Sequence, residues 1–248
     1  MSERRYEERG ILVSGGTSGI GLAAARRFAA EGARVWILGT KPETLAAGLA
    51  ELPAGQAQGS VCDVSREDEV ESSFSDALGF LGRLDAAFVN AGIDGKGDPA
   101  LELDTDFFRR VLDVNLIGAF LVARAAARAM SSGGAIVLNG SASGLEAEAN
   151  FVDYNTSKAG VVMLGRTLAV ELGPRGISVT VVCPGYIWTR MTSEYLDVPE
   201  HQAAILGAIP SGRIGTADEV AALVAFLASP EAAYMNGAVV TIDGGRLA

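Results

Sequence analysis

Short runs rich in β-branched residues alternate along this chain with longer stretches that carry apolar residues at helical spacing. This alternation is typical of βαβ units, in which a parallel sheet is covered by helices on both faces. No internal repeat or Pro/Gly-rich linker divides the chain, so we expect a single doubly wound, Rossmann-like α/β domain over residues 1–248. The predicted strands lie at residues 11–13, 35–38, 84–89, 135–138, 177–182 and 238–242.

Hydroxyl residues followed three positions later by an acidic residue indicate helix starts. In this spacing, a hydroxyl and a carboxylate can satisfy the first free N–H groups of a helix. The predicted capping pairs are Thr40 with Glu43, Ser65 with Asp68 and Thr216 with Glu219.

The charge of the chain excludes several classes of partner. The chain has 20 Lys and Arg against 30 Asp and Glu, which is a formal net charge of −10. No local basic cluster opposes the resulting repulsion of phosphate backbones and acidic membrane surfaces. No apolar run approaches membrane-spanning length, and residues 1–10 lack the apolar core of a secretory signal. We therefore expect no nucleic-acid or membrane partner and a cytoplasmic location.

Cysteine and histidine are too few and too scattered for several kinds of site. Cys62 and Cys183 form no CxxC motif, and His201 is the only histidine. These facts argue against a disulfide framework, a zinc site and a histidine-dependent triad. We expect no metal, and we expect proton transfer without a histidine.

A glycine-rich segment follows the first predicted strand and precedes the first predicted helix. Glycines permit a tight turn, and the free N–H groups at a helix start attract a pyrophosphate. An ordinary strand-to-helix turn is the alternative, although the position favours a nucleotide site. A P-loop is excluded because no GKS or GKT follows. The segment contains Gly15, Thr17, Ser18, Gly19, Ile20 and Gly21.

Two asparagines lie at positions where an amide side chain indicates either a ligand site or a buried hydrogen bond. Asn90 follows a predicted strand and precedes Ala91 and Gly92, at the edge where open α/β sheets bind ligands. Asn115 falls on the apolar face of a predicted helix, where an unpaired amide costs roughly 1–3 kcal/mol. Asn115 must therefore form hydrogen bonds, either to nearby backbone or within a functional site.

Tyr154 and Lys158 are four residues apart, so on a helix they lie one above the other. A nearby cation favours the phenolate form of a tyrosine. A tyrosine and a lysine that snorkel at a helix start are the alternative. Upstream, Ser141 and Ser143 lie in a small-residue loop after a predicted strand, and either hydroxyl could donate to a substrate oxygen.

Taken together, these segments resemble the short-chain dehydrogenase/reductase family over nearly the whole chain. Ser141 precedes Tyr154 by thirteen residues, which is the family's spacing, so Ser141 rather than Ser143 takes the catalytic position. The separation of Tyr154 from Lys158 resembles this branch rather than the enoyl reductases, where it is wider. The chain departs from the family at Ser14, usually Thr, and at Val89, usually Asn. The matching motifs are VSGGTSGIG at 13–21, VNAG at 89–92, Asn115, Ser141, YNTSK at 154–158, PGYIWT at 184–189 and IDGG at 242–245.

The resemblance implies an NAD(P)-dependent oxidoreductase that interconverts a carbonyl compound and a secondary alcohol. It implies that Tyr154 is the acid/base, that Ser141 polarises the carbonyl oxygen and that Lys158 lowers the pKa of Tyr154 and holds the nicotinamide ribose. Asn115 supports a water relay. A catalytically silent dinucleotide sensor or scaffold on the same fold is the alternative, and the intact catalytic set argues against it.

The resemblance also implies a cofactor site that runs along the sheet edge. It implies that Asp63 meets the adenine. The alternative, that Asp63 caps a helix, is weakened because Ser65 is expected to fill that position. The implied cofactor residues are Gly15, Thr17, Ser18, Gly19, Ile20, Gly21, Thr40, Lys41, Asp63, Val64, Asn90, Ala91, Gly92, Tyr154, Lys158, Pro184, Gly185, Ile187 and Thr189.

The substrate is expected to be a small carbonyl compound or alcohol held by the loops at 93–104, 143–153 and 185–215. The residues in these loops suggest a partly aromatic pocket and point to no particular molecule. The candidate substrate residues are Asp94, Ser143, Glu146, Glu148, Phe151, Tyr186, Trp188 and Tyr195.

Two further features concern the cofactor and the assembly. Gly39 stands where NAD-preferring sites carry a carboxylate that repels a 2′-phosphate, and Lys41 aligns with a basic residue of some NADP-using relatives, so we expect NADP in preference to NAD. An ordinary exposed lysine at 41 is the alternative, and Ser18 stands where many NADP enzymes carry Arg. Residues 161–164 make one helix apolar on every side. We therefore expect a homo-oligomer, and the family resemblance suggests a dimer or tetramer packed through this helix and the one that contains Asn115.

Overall fold

The computed structural model describes residues 4–131 and 133–248, with the backbone alone at 194 and 195. Nine short strands occur in the described ranges. They are β1 (Gly10–Ser14), β2 (Arg34–Gly39), β3 (Ala57–Val61), β4 (Ala86–Val89), β5 (Gly134–Asn139), β6 (Ile177–Pro184), β7 (Ile187–Trp188), β8 (Gly215–Thr216) and β9 (Val239–Ile242). Seven of them form one parallel sheet in the order β3–β2–β1–β4–β5–β6–β9, and β7 pairs with β8.

Helices connect these strands and cover both faces of the large sheet. They are α1 (Gly19–Ala30), α2 (Pro42–Ala50), α3 (Glu67–Leu81), α4 (Thr105–Leu112), α5 (Gly118–Ala129), α6 (Val152–Leu172), α7 (Arg190–Leu196), α8 (Pro199–Gly207) and α9 (Ala217–Leu227). Within the described ranges, none of them combines the length and the apolar character needed to cross a membrane.

The two faces of the sheet are buried because apolar residues follow one another along each strand. In β1, Leu12 packs toward the side of α3, α5 and α6, whereas Ile11 and Val13 pack toward α1 and α9. Successive strand side chains point to opposite faces, so a strand covered on both faces needs a continuous apolar run. The predicted doubly wound, Rossmann-like α/β fold is confirmed.

The edge strand β3 was not predicted. Its sequence AQGSV contains one β-branched residue, and every residue in it is at least partly exposed. An edge strand pairs on one side only and needs no continuous apolar run, so neither periodicity nor composition reveals it.

Of the three predicted capping pairs, one is confirmed and two are wrong. Thr216 accepts from the backbone of Glu219 while Glu219 bonds back to Thr216, which is a complete capping box. Helix α2 begins instead at Pro42, whose ring favours the first helical position and holds Lys41 extended, so Thr40 caps nothing. Helix α3 begins at Glu67, with Arg66 at the cap.

Candidate active site

The carboxyl ends of the central strands surround one large cleft. The chain proceeds outward from β1 through β2 to β3 and then returns to place β4 on the other side of β1. Connections on the two sides of this point diverge, which leaves a crevice at the sheet edge. The crevice has a volume of about 780 Å³, which is within the range of small-molecule and cofactor sites.

The glycine-rich turn after β1 forms one wall of the cleft. Gly15 has a φ of +62°, a backbone conformation that residues with a Cβ rarely adopt. A Cβ on Gly21 would lie 2.1 Å from the carbonyl oxygen of Gly15, so any side chain there would displace the turn. The turn therefore brings backbone N–H groups and the positive end of α1 to the cleft.

Ser14 and Asn90 hold this turn to β4. The Ser14 hydroxyl accepts hydrogen bonds from the N–H groups of Asn90 (2.9 Å) and Ala91 (3.2 Å). The Asn90 side chain donates to the carbonyl oxygens of Ser14 and Gly15, both at 3.1 Å. Val89, the second departure from the family pattern, is buried in the core. The turn therefore keeps its hydrogen bonds despite both departures.

Asn115 is buried in a π-helical turn at 113–117, between α4 and α5. Its amide donates to the Ile93 carbonyl at 2.9 Å and to the Ser157 hydroxyl at 3.1 Å, and its oxygen accepts from the Ile93 N–H at 2.8 Å. Asn115 thus joins the loop after β4 to α6. The sequence predicted a buried amide with partners, but not the π turn or the role of Ser157.

Tyr154 and Lys158 lie on the first two turns of α6, and both line the cleft. The Lys158 side chain is buried; its Nζ lies 5.5 Å from the Tyr154 ring centroid and donates to the Asn139 carbonyl at 2.9 Å. Burial lowers the pKa of Lys158 to about 8. Burial, followed by the charge of Asp94, raises the pKa of Tyr154 above its ordinary value, although a hydrogen bond with Ser141 opposes this shift. The direction is opposite to the lowered pKa that the family resemblance implied for Tyr154.

The structure places the two candidate serines differently. Ser141 is buried beside Tyr154 and lines the cleft. The Ser143 hydroxyl donates to Glu148 at 3.4 Å, while its backbone N–H donates to the Ser141 hydroxyl at 3.1 Å. Ser141 is therefore the hydroxyl that can reach an oxygen held near Tyr154.

Asn139, at the end of β5, was missed by the sequence analysis. Its side chain donates to Asn90 at 2.9 Å, and its backbone carbonyl accepts from Lys158. Its side-chain oxygen is buried without a hydrogen-bond partner among the described residues. A polar residue at the carboxyl end of a buried strand was the available signal, because that edge is where ligands bind in such sheets.

Asp63 lines the cleft below α3, but not for the reason the sequence suggested. Ser65 is not a helix cap: its N–H and hydroxyl donate to Asp63 at 3.0 and 2.6 Å. Arg110, which the sequence analysis missed, donates to the other Asp63 oxygen at 3.1 Å. Burial alone would raise the pKa of Asp63, but the bonds from Ser65 and Arg110 outweigh it and lower the pKa.

All the expected cofactor residues line the cleft except two glycines. Gly21 lies behind the turn, and Gly185 packs against Asp243. Thr40 and Lys41 lie exposed at the rim. Within the described ranges, no group of three or more His, Cys, Asp or Glu residues could hold a metal ion.

The expected substrate residues do not all come together. Asp94 lines the cleft, and Phe151 lies close to the backbone of the same loop. Tyr186 donates to Glu148 at 2.6 Å. Glu146 pairs with Arg246 at 3.4 Å, while Trp188, at the end of β7, is 39% exposed. The side chain of Tyr195 lies outside the described residues.

Comparisons with known proteins agree with this geometry. A family model described as enoyl-(acyl carrier protein) reductase matches residues 15–246. Levodione reductase of Leifsonia aquatica is 38% identical, covering 98% of this chain and 96% of the relative. The crystal structure of levodione reductase superposes with a TM-score of 0.93 at 36% identity, covering 97% of this chain and 98% of that one.

Two other relatives match over similar lengths. The 3-oxoacyl-(acyl-carrier-protein) reductase MabA of Mycobacterium tuberculosis is 38% identical and covers 97% of this chain and 93% of the relative. Meso-2,3-butanediol dehydrogenase of Serratia marcescens is 35% identical, and the match covers 98% of this chain and 96% of the relative. Because the family model and these relatives match nearly the whole sequence, the chain belongs to the short-chain dehydrogenase/reductase family.

Proposed function

We propose that this protein transfers a hydride between a nicotinamide cofactor and a small carbonyl compound or secondary alcohol, with Tyr154 as the general acid and base. The observation that carries the proposal is the buried Lys158 beside Tyr154 at the edge of the cleft. A buried lysine is uncommon because desolvation opposes its charge. Its position next to the Tyr154 phenol, which also forms a hydrogen bond with Ser141, supports proton transfer at this point.

The cleft fits a dinucleotide. The turn from Gly15 to Gly21 is a cradle that a Cβ would fill, and it would hold the pyrophosphate. Asn90 would contact the adenosine side, Lys158 the nicotinamide ribose, and Thr189 with Ile187 the carboxamide. When bound, the nicotinamide supplies or accepts the hydride.

The side chains of this protein move the proton and hold the reacting oxygen. During reduction, the Tyr154 phenol donates its proton to the carbonyl oxygen, and during oxidation Tyr154 removes the hydroxyl proton. Ser141 donates a hydrogen bond to the same oxygen. The raised pKa of Tyr154 keeps the phenol protonated near neutral pH, which suits its role as a proton donor, and a charged Lys158 favours the phenolate in the reverse direction.

The contacts of Asn115 support a positioning role. Its amide holds the loop after β4 through Ile93 and contacts Ser157, whose hydroxyl donates to the Tyr154 carbonyl at 2.7 Å. The water relay implied by the family resemblance stays a prediction, as does the cytoplasmic location.

The names of the relatives support a small-molecule substrate. They include a reductase of levodione and a dehydrogenase of meso-2,3-butanediol. The separation of three residues between Tyr154 and Lys158 favours carbonyl chemistry over the enoyl reduction named in the family model.

We further propose that the cofactor is NADP in preference to NAD. Gly39 ends β2, and a Cβ at this position would lie 2.3 Å from the methyl carbon of Thr17. The site therefore has no carboxylate at the position that would repel a 2′-phosphate, and a side chain there would displace the Thr17 methyl group. Lys41 lines the cleft two residues later, where its ammonium can bind that phosphate.

We also propose that the protein is a homo-oligomer packed through α5 and α6. The apolar helix segment is not equally buried on all sides: Val161 and Val162 face the core, whereas Met163 is 58% exposed and Val170 is 79% exposed. Phe120 on α5 is 36% exposed. Apolar side chains exposed on adjacent helices favour association, and C2 dimers or D2 tetramers are the common closed forms.

Replacing Tyr154 by Phe tests the proton transfer. Tyr154→Phe should lower kcat by at least about 100-fold, the usual scale for a lost general acid, and leave the Kd for the nucleotide nearly unchanged. Steady-state kinetics and nucleotide fluorescence titration measure the two quantities. Tyr234→Phe is the control, because Tyr234 is fully exposed elsewhere. Near-normal turnover in Tyr154→Phe would refute the assignment.

Replacing Lys158 by Met tests the buried charge in nucleotide-free protein. Because its pKa is about 8 when folded and 10.5 ordinarily, the unfolded chain binds more protons between these pH values, so stability rises with pH in this window. The shift corresponds to roughly 3 kcal/mol. Lys158→Met should therefore be more stable than the unmodified protein at pH 7, and this advantage should shrink toward pH 10. Parallel Tm-versus-pH curves for Lys158→Met and the unmodified protein would contradict the burial of the Lys158 charge. Lys41→Met is the control, because Lys41 is exposed.

Replacing Lys41 tests the cofactor preference. Lys41→Ala should reduce the ratio of kcat/KM for NADPH to that for NADH by about tenfold, which is roughly 1.4 kcal/mol of lost phosphate binding. Lys41→Arg, which retains the positive charge, should keep the preference. If NADH is the better cofactor of the unmodified protein, or if Lys41→Ala leaves the ratio unchanged, the phosphate assignment is wrong and the Tyr154 mechanism still stands.

Light scattering at micromolar concentration tests the assembly. The unmodified protein should have the mass of a dimer or tetramer, and Val170→Glu should shift it toward a monomer because a charge cannot be buried unpaired in the contact. Leu101→Glu is the control, since Leu101 is fully exposed on another surface. A monomer in the unmodified protein would refute the proposal.

A further inference from the structure

The cleft has an acidic wall on the substrate side of Tyr154. Asp94, in the loop after β4, lines the cleft together with Tyr154 and Lys158. Its carboxylate accepts a hydrogen bond from the Gly95 N–H at 2.9 Å, and no other donor to it occurs in the described part of the chain. A carboxylate has about four acceptor positions, so Asp94 can still accept from a bound molecule.

Glu148 does not itself line the cleft but lies within electrostatic range of Asp94. One of its oxygens accepts from the Tyr186 hydroxyl at 2.6 Å and the other from Ser143 at 3.4 Å. Its backbone carbonyl accepts from Asn155 at 2.8 Å. Ser143 also donates to Ser141, so this carboxylate is fixed in place two hydrogen bonds away from the hydroxyl that holds the reacting oxygen.

Asp153 adds negative charge without offering an acceptor. It is fully buried, and its oxygens accept from the N–H groups of Tyr154 at 2.8 Å and Lys96 at 3.3 Å. The bond from Lys96 attaches the loop of Asp94 to the start of α6. Asp153 and Glu148 both raise the pKa of Asp94, although burial is the larger cause, so the three carboxylates lie within electrostatic range of one another.

The cations near the wall are engaged elsewhere. Lys96 pairs with Asp98 at 2.8 Å. Arg246 pairs with Glu146 and lies over the Tyr186 ring, 5.2 Å from its centroid. Lys158 donates to Asn139 and is assigned to the cofactor ribose. Lys158 also lies within electrostatic range of Asp94 and lowers its pKa, but it is one cation beside the carboxylates of Asp94, Glu148 and Asp153. The wall therefore keeps net negative charge that repels an anionic substrate and attracts hydrogen-bond donors.

We propose that Asp94 and Glu148 select neutral substrates with a second hydroxyl next to the reacting carbon, namely vicinal diols and the corresponding α-hydroxy ketones, and exclude carboxylates and phosphates. This inference rests on the proposed function, because Ser141 and Tyr154 must hold the reacting oxygen. The second hydroxyl then donates to Asp94, the acceptor that lines the same cleft, and Glu148 supplies the charge behind it. A site built to bind a hydroxyl discriminates against the analogue that lacks it.

Matched alcohols measure this selection with the complete enzyme and either NADP⁺ or NAD⁺. Butane-2,3-diol is compared with butan-2-ol and with 3-hydroxybutanoate, and cyclohexane-1,2-diol with cyclohexanol. Each diol should have a kcat/KM at least about tenfold above that of the mono-alcohol, corresponding to about 1.4 kcal/mol, and the hydroxy acid should be the poorest substrate.

Variants of Asp94 separate its charge from its hydrogen bond. Asp94→Ala should lose most of the diol preference. Asp94→Asn, which keeps an acceptor oxygen, should retain part of the preference and improve turnover of 3-hydroxybutanoate several-fold. Glu148→Gln should also improve turnover of the anion. Asp98→Asn is the control, because Asp98 lies in the same loop as Asp94 but pairs with Lys96 outside the cleft. This variant should change neither the diol preference nor the relative turnover of 3-hydroxybutanoate.

The outcomes distinguish this inference from the proposed function. Tyr154-dependent oxidation of the mono-alcohols without a diol preference overturns the inference and leaves the proposed function in place. A diol preference that survives in Asp94→Ala, or activity confined to ketones and alcohols without a second hydroxyl, also overturns it. A protein that binds the nucleotide but converts no alcohol or ketone would instead refute the proposed function.

Discussion

A chain of hydrogen bonds along the carboxyl edge of the sheet joins the parts of the active site. Asn90 donates to the glycine-rich turn at Gly15 and accepts from Asn139, and the Asn139 carbonyl accepts from Lys158. Each contact crosses from one strand or helix to the next, so the nucleotide turn and the catalytic helix are placed relative to one another by polar groups that all need partners when buried. The positions of Tyr154 and Ser141 follow from this arrangement.

Burial is the largest cause of the pKa shifts of Tyr154 and Lys158. Lys158 loses solvation in the cleft, and its pKa falls to about 8. The same burial raises the pKa of Tyr154, and the charge of Asp94 raises it further. The site therefore combines a lysine whose pKa lies near neutral pH with a phenol that stays protonated. The carboxylates of Asp94 and Glu148 make the substrate side of the cleft negative. The protein's overall net charge of −10 has the same sign as this wall.

Sequence patterns predicted the features that depend on local order along the chain. The alternation of apolar strands and helices predicted the Rossmann-like sheet, and the family resemblance implied the catalytic roles of Ser141, Tyr154 and Lys158. The helix starts at Thr40 and Ser65 were wrong, because Pro42 begins one helix and the Ser65 hydroxyl turns back to Asp63. The sequence patterns also missed Asn139 and Arg110, because these residues act through contacts with segments that are distant in the sequence.

The sequence by itself determined the fold class and the family and predicted the reacting groups, because periodicity and motif spacing are properties of neighbours in the chain. Only the tertiary structure decided that Ser143 points to Glu148 and that Asn115 holds the loop at Ile93 through a π turn. It also decided that Asp94 lines the cleft and that Glu148 lies within electrostatic range of Asp94. These contacts join residues from separate strands and loops, and their distances exist only once the sheet has brought the strand ends together.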